Sequence, residues 1–428
     1  MTTDFKKRNC RYCESPLPEG FLDLGTIPLA NSYVEPKDAA KPEFACPLSL
    51  TWCKKCGLVQ LTHVVPPEMM FSNYLYVSST TKTFRDHFAQ YASTVKNKLG
   101  NKKNAVAVDI GSNDGLLVKC YMNEGLRGVG VDPAANLAKA ANENGIPTIN
   151  RFFDVECVKQ IKKEYGPAHA VSGNNVFAHI DDIHSVCRNV YDLLADDGMF
   201  VIEFPYLAVM LDELLFDMIY HEHLSYIAVT PLSFLMNKFG MEIFDIQQVS
   251  SHGGSLRVFS QKKGGPYKRE AIVKELLEKE KARGIMTQKI YDKFRDDVLE
   301  SRDQFMEIVR EIKTQRKTIS GYGVPAKAST IINFYGLTKN DILFAVDDNP
   351  LKQNLLVPGS KIPIVPSSYL NEHPTGYVVI FAWNFAKEIM QKIAHLKEKG
   401  VEFLVPVGNH HFLKTKKTAP IIKPNPTR

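Results

Sequence analysis

The sequence contains no long apolar run. None of its 428 residues lie in a stretch that approaches the roughly 20 consecutive apolar residues of a membrane-spanning helix. The first ten residues, MTTDFKKRNC, lack the apolar core of a signal peptide. The formal net charge of +6 is spread along the chain, which is too weak to indicate a nucleic-acid partner. We therefore expect a cytoplasmic protein that binds neither a membrane nor nucleic acid.

Cysteine is also scarce, because eight cysteines in a chain of this length do not form a disulfide framework. Four of them form two C-x-x-C pairs, Cys10 with Cys13 and Cys53 with Cys56. Together these pairs can supply four thiolates to one tetrahedral zinc, and a closed shell of this kind indicates a structural ion. The pairs are about 40 residues apart, which is wider than in common zinc ribbons, so unligated cysteines and a redox pair remain alternatives.

The clearest feature present is a strand, a Gly-rich turn and a helix start over residues 105–118. The apolar run 105–108 leads into Asp109, the loop 111–115 and a helical pattern. This order forms a ligand cradle, and Asp132 after the next apolar run fits a carboxylate that grips two ribose hydroxyls. The loop lacks the full GxGxxG, and the chain has no GxxxxGK[ST]. A nucleoside ligand such as S-adenosylmethionine (SAM) is therefore favoured over a pyrophosphate, and an ordinary βα turn is the alternative.

Strands and helices then alternate to about residue 262, and two late β segments near 242–250 and 255–260 predict a seven-stranded sheet with an antiparallel end. This count matches a SAM-dependent methyltransferase better than a dehydrogenase. Asp154 follows the third strand, where it fits either an adenine contact or a helix N-cap. Asn174 opens the loop after the fourth strand, where ligands of α/β sheets bind, and the loop ends at His179. His179 is alternatively a helix-start histidine with its hydrogen bonds satisfied.

The densest group of polar side chains is the segment Ile219–Tyr226, with the sequence IYHEHLSY. HExxH spacing is absent, and two histidines and a glutamate this close together rarely bind one zinc. A histidine beside a carboxylate and a tyrosine suits proton transfer, although a polar loop bonded to itself is the alternative. Farther on, Arg257 in SHGGSLR is predicted either to meet a phosphate or to lie on the surface of a β-turn.

The C-terminal part repeats the order of strand, Gly-rich turn and helix. Residues 267–318 have a charged helical pattern, and Thr318–Ala328 then begins a smaller Rossmann-like unit. This unit is interpreted either as a site for the nucleotide of a substrate or as a degenerate duplicate. The aromatic strip Phe71–Thr80 is interpreted either as covering the ligand or as a domain linker.

We predict an α/β chain with three domains. The predicted parts are an N-terminal zinc-binding module (1–66), a Rossmann-like class I SAM methyltransferase domain (67–265), a helical connector (266–316), a C-terminal smaller Rossmann-like domain (317–414) and a disordered tail (415–428).

The combination resembles the nucleotide-sugar C-methyltransferases that act on 4-keto-deoxysugars of antibiotics and surface polysaccharides. The resemblance runs from Cys10 to about Pro406 and rests on the motifs CRYC…CKKC, YLYVSS, DIGSNDG, GVDP, NNVFAH, YHEHLSY, SSHGGSLR, GYGVPAKA and VDDNPLKQ. It implies zinc on the four paired cysteines and SAM on Gly111 and Asp132. We add Asn113, Asp154 and Asn174 as expected SAM contacts.

The resemblance also implies that a reaction cleft is lined by Tyr76, His179, Tyr220, Glu222 and His223. We assign His223 as the base, Glu222 as the group that tunes it, and Tyr220 or His179 as ligands of the enolate or sugar. The expected partner is a dTDP- or GDP-linked keto-sugar, and the chain is expected to be a monomer or homodimer. Methylation of oxygen or nitrogen in another small molecule, and a non-catalytic nucleotide-binding scaffold, are the alternatives.

Overall fold

A computed structural model describes residues 5–71 and 82–407 of the chain. Tyr76 and the predicted tail 415–428 lie outside the described residues. The described chain divides into two compact units, and each unit is assembled from separate stretches. The first unit comprises residues 5–23, 49–71, 82–209 and 221–292, and the second comprises 24–48, 210–220 and 293–407.

The strands alternate with helices through most of the chain. The strands are β1 (Leu22–Pro28), β2 (Ala45–Trp52), β3 (Val59–Leu61), β4 (Val106–Ile110), β5 (Arg127–Val131), β6 (Thr148–Ile149), β7 (Ala168–Asn174), β8 (Leu194–Pro205), β9 (Ser225–Tyr226), β10 (Met241–Val249), β11 (Ser255–Lys262), β12 (Ile319–Tyr322), β13 (Ala345–Val346), β14 (Ile364–Val365), β15 (Tyr377–Ile380) and β16 (Glu402–Leu404). The helices are α1 (Pro67–Phe71), α2 (Lys82–Leu99), α3 (Leu116–Asn123), α4 (Ala135–Glu143), α5 (Val155–Glu164), α6 (Ile183–Leu193), α7 (Leu207–Asp212), α8 (Val229–Lys238), α9 (Ala271–Arg283), α10 (Gln288–Thr314), α11 (Ala326–Phe334), α12 (Ser367–Glu372) and α13 (Ala386–Lys392).

The centre of the first unit is a seven-stranded sheet in the order β10-β11-β8-β7-β4-β5-β6. The strands from β4 to β8 are parallel, whereas β10 and β11 are antiparallel. The predicted seven-stranded sheet with an antiparallel end is confirmed. All five residues of β4 are buried, as expected for a parallel strand covered on both faces. The carboxyl ends of the parallel strands therefore meet at one edge of the sheet.

Helix α2 packs beside α3, and together they cover one face of this sheet. Helix α2 has 18 residues, Lys82–Leu99. Its apolar side places Phe88, Tyr91 and Val95 in the same core as Phe259 of β11. Burial of this apolar surface provides the main favourable free energy for the packing.

A small antiparallel sheet carries the cysteine-rich part of the first unit. Strand β3 pairs with β2 on one side and with β9 on the other. Val59 and Gln60 of β3 lie opposite Tyr226 and Ser225 of β9. This sheet therefore joins the cysteine-rich segment to the residues that directly follow the YHEH motif. Cys46 of β2 is buried.

The second unit contains a five-stranded parallel sheet in the order β14-β13-β12-β15-β16. The predicted Rossmann-like character of this part is confirmed, and two of its strands, β13 and β14, have only two residues each. An early stretch of the chain completes this unit. The hydroxyl of Tyr33 donates to the carbonyl of Val324 at 2.7 Å, and Val34 forms two backbone hydrogen bonds with Leu356.

Gly284 ends α9 with a left-handed φ of 84°, and α10 begins four residues later. Not every charged residue of α9 faces solvent, because Glu280 is fully buried. Its carboxylate accepts hydrogen bonds from the Tyr206 hydroxyl and from the backbone and hydroxyl of Thr230. Among the described helices, none combines the length and the apolar character needed to cross a bilayer.

Candidate active site

The two C-x-x-C pairs converge on one point in the first unit. The sulfur of Cys10 lies 3.5 Å from that of Cys56, and the sulfur of Cys13 lies 3.4 Å from that of Cys53. All four sulfurs lie within 4.8 Å of one another. A tetrahedral zinc with bonds of about 2.3 Å holds its sulfurs about 3.8 Å apart, so this spacing fits the ion. The predicted convergence of the four cysteines is confirmed.

The acid–base behaviour of the thiols also fits a bound cation. The hydrogen bond from Cys56 lowers the pKa of Cys10 to about 5. The same hydrogen bond raises the pKa of Cys56, and burial raises it further. Burial also raises the pKa of Cys53 to about 11, so the thiols of Cys53 and Cys56 stay protonated at neutral pH unless a positive charge lies beside them. Zinc would supply that charge, and with four protein ligands it would hold the module together.

The Gly-rich loop after β4 has the backbone geometry that the sequence predicted. Gly111 has a φ of 67°, and a Cβ at this position would lie 2.7 Å from Cγ2 of Val176. Asn113 is also left-handed, with a φ of 53°, and Gly115 begins α3 with a φ of 80°. Glycine is required where a left-handed backbone also approaches a neighbour this closely. The loop therefore presents its backbone, rather than side chains, toward the carboxyl edge of the sheet.

Two buried carboxylates lie at this edge of the sheet, and one of them holds the loop. Asp132 accepts hydrogen bonds from the backbone amides of Asn113 and Ala134, each at 2.8 Å. Each carboxylate oxygen retains a second lone pair, so the predicted contact with ribose hydroxyls is chemically open to Asp132. Asp109 accepts from the Ser172 hydroxyl at 2.7 Å. Burial raises the pKa of Asp109 to about 7, and the nearby charge of Asp132 adds to the effect.

Asn174 is the strongest sign that a polar ligand belongs at this edge. It ends β7, and among the described residues neither its amide nitrogen nor its amide oxygen has a hydrogen-bond partner, although both are buried. Buried polar atoms are normally paired, so this amide is suited to a bound ligand. Asp154 has the N-cap geometry of α5 and accepts from the Cys157 amide at 2.7 Å. A further role of Asp154 toward adenine stays a prediction.

The loop after β7 and the YHEH segment bring two histidine rings together. The ring centroids of His179 and His223 are 5.0 Å apart, and the Tyr226 ring lies 6.5 Å from that of His223. A backbone hydrogen bond of 2.9 Å from Leu224 to Ala178 fixes the two segments against each other. This pairing of residues 44 positions apart in the sequence places two proton-carrying groups side by side.

The other predicted cleft residues are distributed differently. Glu222 and His221 are both buried within the first unit, at 5% and 2% exposure. Tyr220 is half-buried and belongs to the second unit, while Tyr76 lies outside the described residues. The structure thus brings His179 and His223 together, and the roles assigned to all five residues stay predictions.

One cluster at the same edge was missed by sequence reasoning. Glu203 near the end of β8 accepts from His87 Nε2 at 2.7 Å, from Ser251 at 3.0 Å and from Arg257 Nε at 3.0 Å. Burial alone would raise the pKa of Glu203, but His87 and Arg257 hold it below its usual value. Arg257 is 2% exposed and lies over the Tyr91 ring at 4.1 Å. The predicted surface position of Arg257 is therefore wrong, and its contact with a phosphate stays a prediction.

Comparison with known proteins finds related sequences along nearly the whole chain. Three family models match in order: a zinc binding domain over residues 10–71, a methyltransferase domain over 84–246 and a C-methyltransferase C-terminal domain over 250–408. The C-methyltransferase NovU of Streptomyces niveus is 35% identical over 409 residues, which is 96% of this chain and 97% of NovU. The chain belongs to the C-methyltransferase family. This C-methyltransferase is a SAM-dependent enzyme with a zinc-binding module, as the sequence predicted.

Solved structures similar to the C-methyltransferase include other methyltransferases. The magnesium protoporphyrin IX methyltransferase ChlM from Synechocystis, with bound SAM, is 12% identical with a TM-score of 0.32, over 45% of this chain and 88% of ChlM. The mitomycin 7-O-methyltransferase MmcR is 17% identical with a TM-score of 0.33, over 42% of this chain and 54% of MmcR. Similarity at this level adds nothing to the family assignment.

Proposed function

We propose that this enzyme methylates the carbon next to the ketone of a nucleotide-linked 4-keto-deoxysugar. The observation that carries the proposal is the pair of histidine rings 5.0 Å apart at the edge where the SAM-binding loop lies. Methylation of carbon first requires removal of a proton from that carbon, and an adjacent ketone makes the proton acidic by delocalising the resulting charge. A histidine has a pKa near neutral pH and is suited to this task.

In this proposal His223 takes the proton from the sugar carbon, and the electrons of the C–H bond move into the enolate. When bound, SAM supplies an electrophilic methyl group. The enolate carbon would take that methyl as the methyl–sulfur bond breaks and its electron pair stays on sulfur, and the proton would remain on His223 until solvent removes it. Glu222 tunes His223, while His179 holds the sugar or the enolate oxygen. Such hydrogen bonds favour the transition state because they lie where negative charge develops.

The proposed SAM contacts come from the loop and from the ends of neighbouring strands. The backbone at Gly111 and Asn113 lies against the ligand, and the carboxylate of Asp132 accepts from the ribose hydroxyls. SAM would provide hydrogen-bond partners for the side-chain amide of Asn174, which has none among the described residues. Asp154 accepts from the adenine amine, which its half-exposed carboxylate permits beside its N-cap bond.

The second unit has a Gly-rich turn with the features of a diphosphate site. Gly323 is left-handed with a φ of 79°, and a Cβ there would lie 2.4 Å from the Cβ of Ala382. Helix α11 begins three residues later, and Lys327 in its first turn donates to Asn384 at 2.8 Å. Burial lowers the pKa of Lys327 to about 8, although nearby Asp217 opposes the change. A glycine turn, a helix start and a lysine suit a dTDP or GDP diphosphate.

The reaction is tested by mass spectrometry with SAM and a panel of dTDP- and GDP-linked 4-keto-6-deoxyhexoses. The matched controls are the same nucleotide sugars with a hydroxyl in place of the ketone. We expect a gain of one methyl group with a keto-sugar and no gain with its hydroxyl counterpart. Methylation of the hydroxyl sugars would instead favour O-methylation, and failure of SAM to bind in calorimetry would favour a scaffold.

The base is tested with His223→Asn and deuterium exchange into the keto-sugar without SAM. A positioned general base contributes about a hundredfold or more, so we expect both exchange and methyl transfer to fall by at least that factor. His373→Asn, at an exposed position of the second unit, is the control. A loss below about tenfold in His223→Asn would remove the assignment of His223 as the base.

A further inference from the structure

Arg11 lies inside the first C-x-x-C pair but does not point its charge to solvent. Its side chain is only 3% exposed, and Nη1 pairs with the carboxylate of Asp181. The same nitrogen donates to the backbone carbonyl of Asp181 at 3.2 Å. Asp181 follows His179 by two residues in the loop after β7. One side chain of the cysteine module therefore bonds to both the carboxylate and the backbone carbonyl of Asp181, in the loop that carries His179.

This arrangement is costly for stability alone. Nε and Nη2 of Arg11 are buried, and neither has a hydrogen-bond partner among the residues that the structure describes. A buried guanidinium with incomplete hydrogen bonding often contributes less to stability than an apolar side chain of similar size. Folding stability therefore does not explain why an arginine occupies this position. The need to hold Asp181 in a fixed place does explain it.

The neighbouring residue of the knuckle holds the other side of the same loop. The backbone carbonyl of Tyr12 lies 2.9 Å from Nε2 of His184, in the first turn of α6. Asp182 caps that helix by accepting from the Ser185 amide at 3.0 Å. The segment that joins His179 to α6 is thus bonded to the cysteine module at two successive points.

The YHEH segment is attached to the same module. Leu224 follows His223, and its carbonyl accepts from the Leu61 amide at 3.1 Å. The amide of Leu224 donates in turn to the Ala178 carbonyl. Both histidine-bearing segments therefore take their positions from the small domain that the four cysteines hold together.

We infer that Arg11 is a positioning residue for the two histidines, which acts through Asp181 from within the zinc knuckle. This inference rests on the proposed function, in which His179 and His223 handle the proton and the sugar. The zinc-binding module is then more than a folding element, because its knuckle sets the distance between the two rings. A displacement of about 1 Å at a reacting group can cost a hundredfold in rate.

The test compares Arg11→Met with Lys7→Met. Lys7 bonds to the other carboxylate oxygen of Asp181 at 2.9 Å, but its side chain is 38% exposed. Methionine replaces the apolar stem of the side chain with an unbranched apolar chain and removes the charge in both variants. For Arg11→Met we expect one zinc per chain, unchanged SAM affinity and a melting temperature that is not lowered. We expect its kcat, and its SAM-free deuterium exchange, to fall by about tenfold or more.

Lys7→Met should stay within about twofold of the wild type in every measurement, because an exposed ion pair contributes little. Wild-type kcat and exchange in a zinc-replete Arg11→Met enzyme would overturn the inference. Loss of zinc or of SAM binding in that variant would also overturn it, since the role would then be structural.

A failure of the proposed function is recognised separately, because His223→Asn would then remain active. In that case the positioning itself is measured by hydrogen–deuterium exchange of peptides covering residues 177–185 and 221–226. Faster exchange in Arg11→Met than in Lys7→Met, with zinc retained, supports the inference. Equal exchange in the two variants overturns it.

Discussion

Asp109 makes the stability of this protein depend on pH in an unusual direction. Its carboxylate is buried at the end of β4, and burial raises its pKa from 3.8 to about 7. Between these two values the folded chain keeps the proton that the unfolded chain releases. The stability linked to this group is therefore fully present below 3.8 and is lost as pH rises through about 7. At about 1.4 kcal/mol for each pKa unit, the change amounts to about 4 kcal/mol.

The substitution Asp109→Asn removes the titration and keeps the fold of the site. Its amide oxygen can still accept from the Ser172 hydroxyl, which lies 2.7 Å from Asp109. The variant should therefore match the wild type at about pH 4 and become more stable than it by up to about 4 kcal/mol at about pH 8. The measurement is urea unfolding of the zinc-loaded protein without SAM at several pH values.

Asp154→Asn is the matched control, because its neighbours shift the pKa of that carboxyl in the opposite direction. Burial opposes the change, but the Cys157 amide and Arg151 lower the pKa of Asp154 below its usual value. Asp154 therefore stays ionised in both states above about pH 5, and its variant should differ from the wild type by a constant amount. A constant difference for Asp109→Asn as well would refute the assignment of a buried, proton-binding carboxylate.

Three further perturbations address the two ligand sites. Asn174→Ala should raise the SAM Kd about tenfold by calorimetry, the effect of losing one or two buried hydrogen bonds, and an unchanged Kd would exclude Asn174 from the site. Gly111→Ala should weaken SAM binding and destabilise the fold by about 1–3 kcal/mol, because the new Cβ would lie 2.7 Å from Cγ2 of Val176. Adding Val176→Ala removes this contact and should restore part of the lost stability. Cys13→Ser should lower both the zinc content, measured by mass spectrometry, and the melting temperature. Cys46→Ser is the control, because Cys46 lies outside the cluster and its loss should leave the zinc content unchanged. Equal zinc contents in the two variants would contradict a four-thiolate site.

Much of the first unit was predictable because its signals are local. The buried run of β4 and the left-handed glycines of the loop are encoded within a dozen residues, and Asp132 follows at the expected distance. The four-cysteine cluster was predictable for a related reason, since each C-x-x-C pair already brings two ligands together. The fold then had only to bring the two pairs to the same point. Gly284 likewise marked the end of α9 through its backbone requirement alone.

The cluster around Glu203 was not predictable, because its members are distant in sequence. His87 lies 116 residues from Glu203, and Arg257 lies 54 residues from it. Arg257 reaches Glu203 through the antiparallel pairing of β11 with β8, which a motif does not encode. The same limit applies to Tyr33 and Val324, which lie 291 residues apart within the second unit. Short strands such as β14, with two residues, are too brief for a periodic pattern to identify.

The early position of residues 24–48 has a consequence for how the protein is made. These residues leave the ribosome among the first, yet the chain that completes their unit begins only at residue 293. At about 5–20 residues per second, the delay is on the order of 10–50 seconds. Until Leu356 has been synthesised, Val34 has no strand edge to bond with, so this short stretch must remain soluble by itself. Its composition suits a segment that stays unpaired for this time, since the stretch from Glu35 to Glu43 contains two prolines and five charged residues. We would expect apolar substitutions there to reduce the yield of nascent protein more than they change the finished fold.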